Sequence, residues 1–378
     1  MQKSLLPACN SRMLSGQALG DFLDRDWHRQ PRVFESAINP ADYDIPAAIL
    51  GELSSSELVE SRLVDPDFEV FHGPFEIEGD ETDLVPAGHM LMVQCLEQHL
   101  PLVNQMIARE FSFLPRWQID DVMATLGPTG ASCGAHFDKY DVFLVQLTGR
   151  KTWHLDAGGH TEDDLQEDRD LRLLETFTPI RTHDLGPGDV LYIPPGVGHH
   201  GICEGNSLTL SVGIRNPTTG EMLADISEFA LEAHDIQRPM ESRLHPPGEL
   251  PAGITDALRG ELDRVLDDET LVKWYGTYVT RLRVPELLEP GPVPDQYSRV
   301  QVTLPTRMTV SRLQDQLLWF VNGECYELPV DANTTEIIAG LCETGSAGLP
   351  DTLSPALQAA IEDLLDTGAL TAEDDHAG

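Results

Sequence analysis

The stretch Gly188-Asp-Val-Leu-Tyr-Ile-Pro-Pro-Gly196-Val-Gly-His199 leaves the chain little conformational choice. Gly188 opens a turn, Val190 to Ile193 are strand formers fit for burial, and Pro194-Pro195-Gly196 forces a second turn. His199 is thereby delivered at a set offset from a strand end. Upstream, Gly134-Ala-His136-Phe-Asp138 offers an imidazole and a carboxylate two residues apart. Side chains alternate along an extended chain, so His136 and Asp138 point one way and Phe137 the other. His136, Asp138 and His199 form a set of two imidazoles and one carboxylate. That set suits one face of an octahedral mononuclear iron centre, with the opposite face open to a bidentate co-substrate and dioxygen. His-x-Asp alone is a weak signal in a chain with 13 histidines and 63 acidic residues, so the second fragment carries the inference. His200 faces away from His199 in a strand and is expected outside the ligand set. Cys133 is expected as a small buried residue and not as a ligand.

From Arg116 to Asn216 short apolar runs alternate with Gly, Pro and Asp: Val142 to Leu147, Lys151 to Leu155, Val190 to Ile193 and Ser207 to Val212. Such spacing reads as a β-barrel or sandwich. Ser15 to Trp27 and Asn39 to Leu53 are expected as helices buttressing it, and the acidic stretch Gly159 to Asp170 as a solvated loop. Beyond Pro217 the period changes. Met222, Leu223, Ile226, Phe229, Ala230 and Ala233 recur at helical spacing, as do Ile254, Leu258, Leu262, Val265 and Leu266, with a break at Pro246-Pro247-Gly248. Apolar stripes of this kind suit a homodimer interface. A Pro-rich linker, Pro285 to Pro294, precedes a tail that alternates short strands with helical patterns at Thr335 to Cys342 and Pro355 to Leu365. The tail reads as a winged-helix-like α+β module, and its acidic residues far outnumber Arg299, Arg307 and Arg312.

The net charge is −38, with 63 Asp and Glu against 25 Lys and Arg. Phosphate neutralisation needs a basic patch, so direct binding to free DNA or RNA is not expected. An acidic surface poor in lysine suits a salt-adapted cytoplasm, and it would also attract a basic partner. No apolar run reaches membrane-spanning length, the N-terminus lacks the apolar run of a signal peptide, and the six cysteines are scattered. A cytoplasmic protein with reduced thiols and no membrane contact is therefore expected.

The pattern Gly-x5-Pro-x-Gly-x2-His at 188–199 resembles the second motif of cupin barrels, with Cys203 where an Asn often ends that motif. With Glu60-Ser-Arg-Leu-Val64, His72-Gly-Pro-Phe75, Trp117 to Met123, His136 to Phe143, Thr148-Gly-Arg-Lys-Thr-Trp153 and Leu191 to Gly196, the chain resembles the bacterial ribosomal oxygenases. These are Jumonji-C-type enzymes that use Fe(II), 2-oxoglutarate and O2 to hydroxylate an arginine of a basic large-subunit ribosomal protein. The resemblance implies a mainly β fold with α: a double-stranded β-helix (the cupin or JmjC jelly roll) over 1–217, a helical dimerisation region over 218–290, and a winged-helix-like domain over 291–378. It also implies 3-hydroxylation of ribosomal protein L-sixteen. By the same likeness His136, Asp138 and His199 bind iron and act in catalysis. Lys151 and Thr125 would hold the distal carboxylate of 2-oxoglutarate, Lys151 standing where the family places a basic residue and its nearest members an Arg. Asp121, Met123, Tyr140 and Ser211 would line the arginine pocket, with Asp120 replacing Asp121 if the register slips by one residue. Two alternatives stay open: the same chemistry on a histidyl or methyl-lysyl protein, and a cupin metalloprotein that is not an oxygenase.

Salt adaptation predicts that the thermal midpoint rises from low to molar KCl, because about a tenfold rise in ionic strength shortens the Debye length roughly threefold. A scan of unfolding against KCl checks this, and a midpoint that falls with salt would leave partner attraction as the reason for the acidity.

Overall fold

Runs rich in Val, Leu, Ile and Phe pair into a sheet in the first half of the chain, and alternation sorts their side chains to its two faces. The structure, a computed structural model, describes residues 13–75, 85–167, 169–214, 217–233, 248–250, 252–294 and 297–374. Most of the expected Pro246-Pro247-Gly248 break lies outside the described residues. The chain divides into two compact units, Met1–Asn216 and Pro217–Gly378.

The first unit contains β1 (Arg32–Phe34), β2 (Ser61–Val64), β3 (Val70–His72), β4 (Met90–Val93), β5 (Ile119–Gly127), β6 (Asp141–Leu155), β7 (Arg181–Leu185), β8 (Val190–Ile193) and β9 (His199–Ile214). Among the described residues they form one antiparallel sheet in the order β1-β8-β6-β9-β5-β4-β2-β3, with β7 on the far part of β6. The sequence suggests separate strands on either side of Gly149 and a strand that begins only at Ser207. Instead β6 runs through Gly149 and β9 begins at His199, as strands of 15 and 16 residues. Their mutual register shifts between Gln146 and Thr148 and again between Thr148 and Arg150. Such bulges bend a strand without ending it. Before the bend β6 pairs with β8; after it, with β7.

One face of this sheet carries Val122, Ala124, Phe143, Val145, Leu208, Leu210 and Val212 into the main core. Helices α1 (Gly16–Arg25), α2 (Ala47–Ser54), α3 (Leu96–His99) and α4 (Pro101–Glu110) belong to the same unit, and Phe22, Leu50, Leu96 and Met106 join that core. The helix expected over Asn39 to Leu53 is split into a 3-10 turn, Pro40–Tyr43, and α2, with Pro46 at the N-cap of α2. A proline starts a helix well but cannot continue one. At the start of β6 the buried Asp141 accepts a hydrogen bond from Tyr192 Oη and lies 2.8 Å from His28 Nδ1. Burial raises the Asp141 pKa, while Tyr192 and His28 oppose that rise.

The second unit opens with α5 (Thr219–Ala233), α6 (Ile254–Val265) and α7 (Asp268–Thr280). Trp274 on α7 donates from Nε1 to Asp225 Oδ1 on α5 at 2.8 Å. Two three-stranded sheets follow, β14-β10-β15 and β11-β12-β13, made from β10 (Tyr297–Val302), β11 (Met308–Leu313), β12 (Gln316–Val321), β13 (Glu324–Pro329), β14 (Ser346–Gly348) and β15 (Leu370–Asp374). Helices α8 (Ala332–Thr344) and α9 (Pro355–Asp366) share a core with them through Ile337, Leu341, Leu357, Ile361 and Trp319.

Phe143 is fully buried among Tyr192, Phe111 and Phe22, with ring centroids at 5.0, 5.3 and 5.9 Å. Phe143→Ala is expected to cost about 3–5 kcal/mol of stability, read as a lowered denaturant midpoint.

Candidate metal and co-substrate site

The site forms on the sheet face turned away from the main core. His199 is the first residue of β9, and its backbone makes a reciprocal pair with His136: His136 N donates to His199 O at 3.0 Å and His199 N to His136 O at 2.8 Å. The segment around His136 is not the strand expected from sequence but has His136 in isolated bridges to His199 and Leu173; Lys139 and Tyr140 form a bend before β6 begins. Asp138 is still held in place, because Gly196 N donates to its carbonyl at 2.8 Å. The imidazole centroids lie 4.2 Å apart, and His199 Nε2 is 3.5 Å from Asp138 Oδ2. Ligand atoms of all three residues fall within 4.8 Å of one another, so the trio could hold one metal ion.

Both rings are oriented by main-chain carbonyls. His136 Nδ1 donates to Gly134 O at 3.0 Å and His199 Nδ1 to Val197 O at 3.0 Å. Each bond selects the tautomer that presents an unprotonated Nε2. Burial, then the neighbouring His136, pushes the His199 pKa down to about 4, so this imidazole is neutral near pH 7. His200 pairs across the ladder with His154 on the opposite face, as strand parity requires, and is outside the trio. Cys133 is also outside it, its Sγ resting 4.0 Å from Met92 Sδ.

Lys151 lies deeper, 2% exposed. Among the described residues its ammonium has the Thr125 hydroxyl at 3.2 Å and the Trp153 ring at 4.8 Å, and no carboxylate within ion-pair reach. Thr125 is itself buried on β5. Burying an ammonium without a counter-charge is costly, and an acidic ligand here would offset that cost. Gly201, opposite Trp153 in the ladder, makes the room: a Cβ there would sit 2.8 Å from both Lys151 Cε and the indole. Trp153 also spans the distance to the metal end, its centroid 5.8 Å from that of His199.

Asp121, Met123 and Thr125 share a face of β5, and their ladder partners Gly213, Ser211 and Thr209 share the same face of β9. Asp120 falls at the bulge between Ile119 and Asp121, which leaves Asp121 in line with Met123. Tyr140 lies over Gly213, where a Cβ would meet its ring at 3.3 Å and the Asp121 carbonyl at 3.6 Å. Asp121 Oδ1 also accepts from Cys95 N at 2.7 Å, a bond that anchors one edge of the carboxylate.

Three polar residues escaped the sequence analysis. Gln146, fully buried at the β6 bend, donates to Thr148 O and Ser207 Oγ and accepts from Thr209 Oγ1. Asp156 and His160 form a close pair, 2.5 Å between Oδ2 and Nε2, beside the turn that leads into His199. The Asp-x-Gly spacing of Asp156 and Gly158 signals a side-chain-capped turn. The pairing with His160 has no local signature.

A family model described as the JmjC domain matches residues 106–222. The ribosomal protein uL16 3-hydroxylase of Escherichia coli is 32% identical over 272 residues, covering 70% of this chain and 71% of that protein. The crystal structure of E. coli YcfD superposes with a TM-score of 0.75 at 28% identity, over 94% of this chain and 98% of the other. A YcfD structure described as a ribosomal oxygenase in complex with cobalt and 2-oxoglutarate superposes with a TM-score of 0.74 at 27% identity and the same coverage. The fold is thus the JmjC/cupin fold, and the chain belongs to the JmjC ribosomal oxygenases, an enzyme family of 2-oxoglutarate-dependent hydroxylases.

The geometry predicts that His136→Ala, Asp138→Ala and His199→Ala each abolish Co(II) binding by the metal-free protein, whereas His200→Ala retains it. Titration followed by visible absorption checks this. Retention by His199→Ala with loss by His200→Ala would reverse the assignment.

Proposed function

We propose that the protein is an Fe(II)- and 2-oxoglutarate-dependent dioxygenase that hydroxylates an arginine side chain, at C3, of a basic large-subunit ribosomal protein. The carrying observation is Lys151, a buried ammonium without a carboxylate partner among the described residues, on the same side of the sheet as a converging His-Asp-His set. One end of such a site suits the carboxylate of a dicarboxylic acid and the other a metal. The relatives support the substrate class, since the E. coli protein is named for hydroxylation of a ribosomal protein.

In this reading His136 Nε2, His199 Nε2 and an Asp138 oxygen hold the iron, with imidazole and carboxylate suited to a divalent first-row metal. When bound there, iron with 2-oxoglutarate and O2 supplies the oxidation that puts one oxygen atom on a C–H bond and leaves succinate and carbon dioxide. Lys151 and Thr125 grip the distal carboxylate of the co-substrate and orient it. Lysine offers a point charge where arginine would offer a fork, so Thr125 supplies the directional contact. Asp121 faces the guanidinium of the substrate, Met123 and Tyr140 run along its aliphatic stem, and Ser211 contributes a hydroxyl. Positioning of one methylene is the main task of these four residues.

The reading includes a homodimer through the helices between Met222 and Leu282, supported by the exposure of Leu223, Leu231, Leu258 and Leu262. It also includes a cytoplasmic location, consistent with a ribosomal-protein substrate. Among the described residues no helix is long and apolar enough to cross a membrane.

Oxygen consumption that depends on 2-oxoglutarate, with one oxygen atom gained by a basic ribosomal protein in intact-mass analysis, tests the proposal. No such dependence would return the chain to the non-oxygenase cupin alternative, and oxygen on a histidine or loss of a lysine methyl group would change the substrate. Lys151→Ala is expected to raise the Michaelis constant for 2-oxoglutarate by about 10- to 100-fold, the value of a charged hydrogen bond, and that for the protein substrate far less. An unchanged constant for 2-oxoglutarate would mean that another cation holds it.

A further inference from the structure

Asp156 and His160 stand outside the metal and co-substrate contacts described above, yet both are largely buried, their side chains 7% and 18% exposed. Asp156 directly follows the end of β6 and faces the turn that leads into β9. Its Oδ1 accepts from Gly158 N at 2.8 Å and from Gly198 N at 2.9 Å, and its Oδ2 meets His160 Nε2 at 2.5 Å. The main chain adds to this: Asp156 N donates to Gly198 O at 3.0 Å, and Gly159 N and His160 N donate to Gly196 O at 2.9 and 3.2 Å. The residues immediately before His199 are therefore tied to the 156–160 segment from both sides. Gly198 has to be glycine for this contact, since a Cβ there would lie 2.3 Å from Asp156 Oδ2.

The same pair reaches the other two candidate ligands. The His160 ring stacks on Phe137 with centroids 5.8 Å apart and planes at 28°. Phe137 is buried and lies between His136 and Asp138 in sequence, facing away from both. Arg172 sits over the Phe137 ring at 5.8 Å and is itself fixed by Glu162, which also binds Lys139. One carboxylate–imidazole pair thus touches both segments that carry candidate ligands, and touches neither through a ligand side chain. An apolar pair would fill the space with less desolvation cost; what a carboxylate adds here is a fixed acceptor for the Gly198 amide.

We propose that Asp156 and His160 are positioning residues for the metal site, holding the 196–198 turn and Phe137 so that the three ligand atoms converge before metal arrives. This rests on the reading of His136, Asp138 and His199 as metal ligands. Without the pair, ordering of both segments falls to the binding event and weakens it.

The test is a Co(II) titration of the metal-free, full-length protein, read by visible absorption, beside its thermal midpoint without metal. Asp156→Ala is expected to raise the Co(II) dissociation constant by about 10- to 100-fold, as loss of supporting contacts around metal ligands does. His160→Phe keeps a ring on Phe137 but loses the bond to Asp156, so its rise is expected to be smaller yet clearly measurable. Dissociation constants within about twofold of the parent for both variants, whatever their thermal midpoints, would overturn the proposal, because a merely structural pair shifts stability and not affinity. Should Asp156→Ala fail to fold, His160→Phe decides alone. If His199→Ala binds Co(II) as tightly as the parent, the ligand assignment fails instead, and the two failures are told apart.

Discussion

Two backbone hydrogen bonds between His136 and His199 are the contact on which the site depends. They join a short extended segment to the start of the longest strand in the sheet and set two imidazoles side by side. Everything else at the metal end refines that join. Carbonyls of Gly134 and Val197 choose the tautomers, the Gly196 amide holds Asp138, and the Asp156–His160 pair buttresses the turn from outside. Peptide groups provide most of this order, and peptide groups are less easily displaced than long side chains.

The second constraint is the division of the sheet into two faces. On β5 and β9 one set of alternating residues enters the aromatic and aliphatic core and the other set surrounds the site. The core face therefore anchors the strands while the other face is left to chemistry. Lys151 illustrates the result in a chain of net charge −38: with acid abundant elsewhere, this buried ammonium has only a hydroxyl and an indole beside it among the described residues.

Much of the metal end was legible in the sequence because its signals are local. The His-x-Asp spacing sets His136 against Asp138, and the Pro-Pro-Gly turn with strand parity sets His199 against His200, each pair from residues a few positions away. Less was legible where two distant segments meet. Gly149 reads as a break, yet the ladder between β6 and β9 carries β6 through it, since register shifts are a property of paired strands. The acidic stretch after Gly159 reads as solvent-facing, although His160 is largely buried against Asp156 and Phe137.

The sequence by itself determined which residue types could form the site, the order in which they come, and the face each takes along its own strand. These follow from turn chemistry and a two-residue period, both written into neighbouring residues. The tertiary structure alone decided that Lys151 would meet Thr125, that Gly201 and Gly213 would clear space for Trp153 and Tyr140, and that Asp156 would cap the turn before His199. Each of these is a contact between segments brought together by strand pairing, whose partner and distance no local pattern encodes.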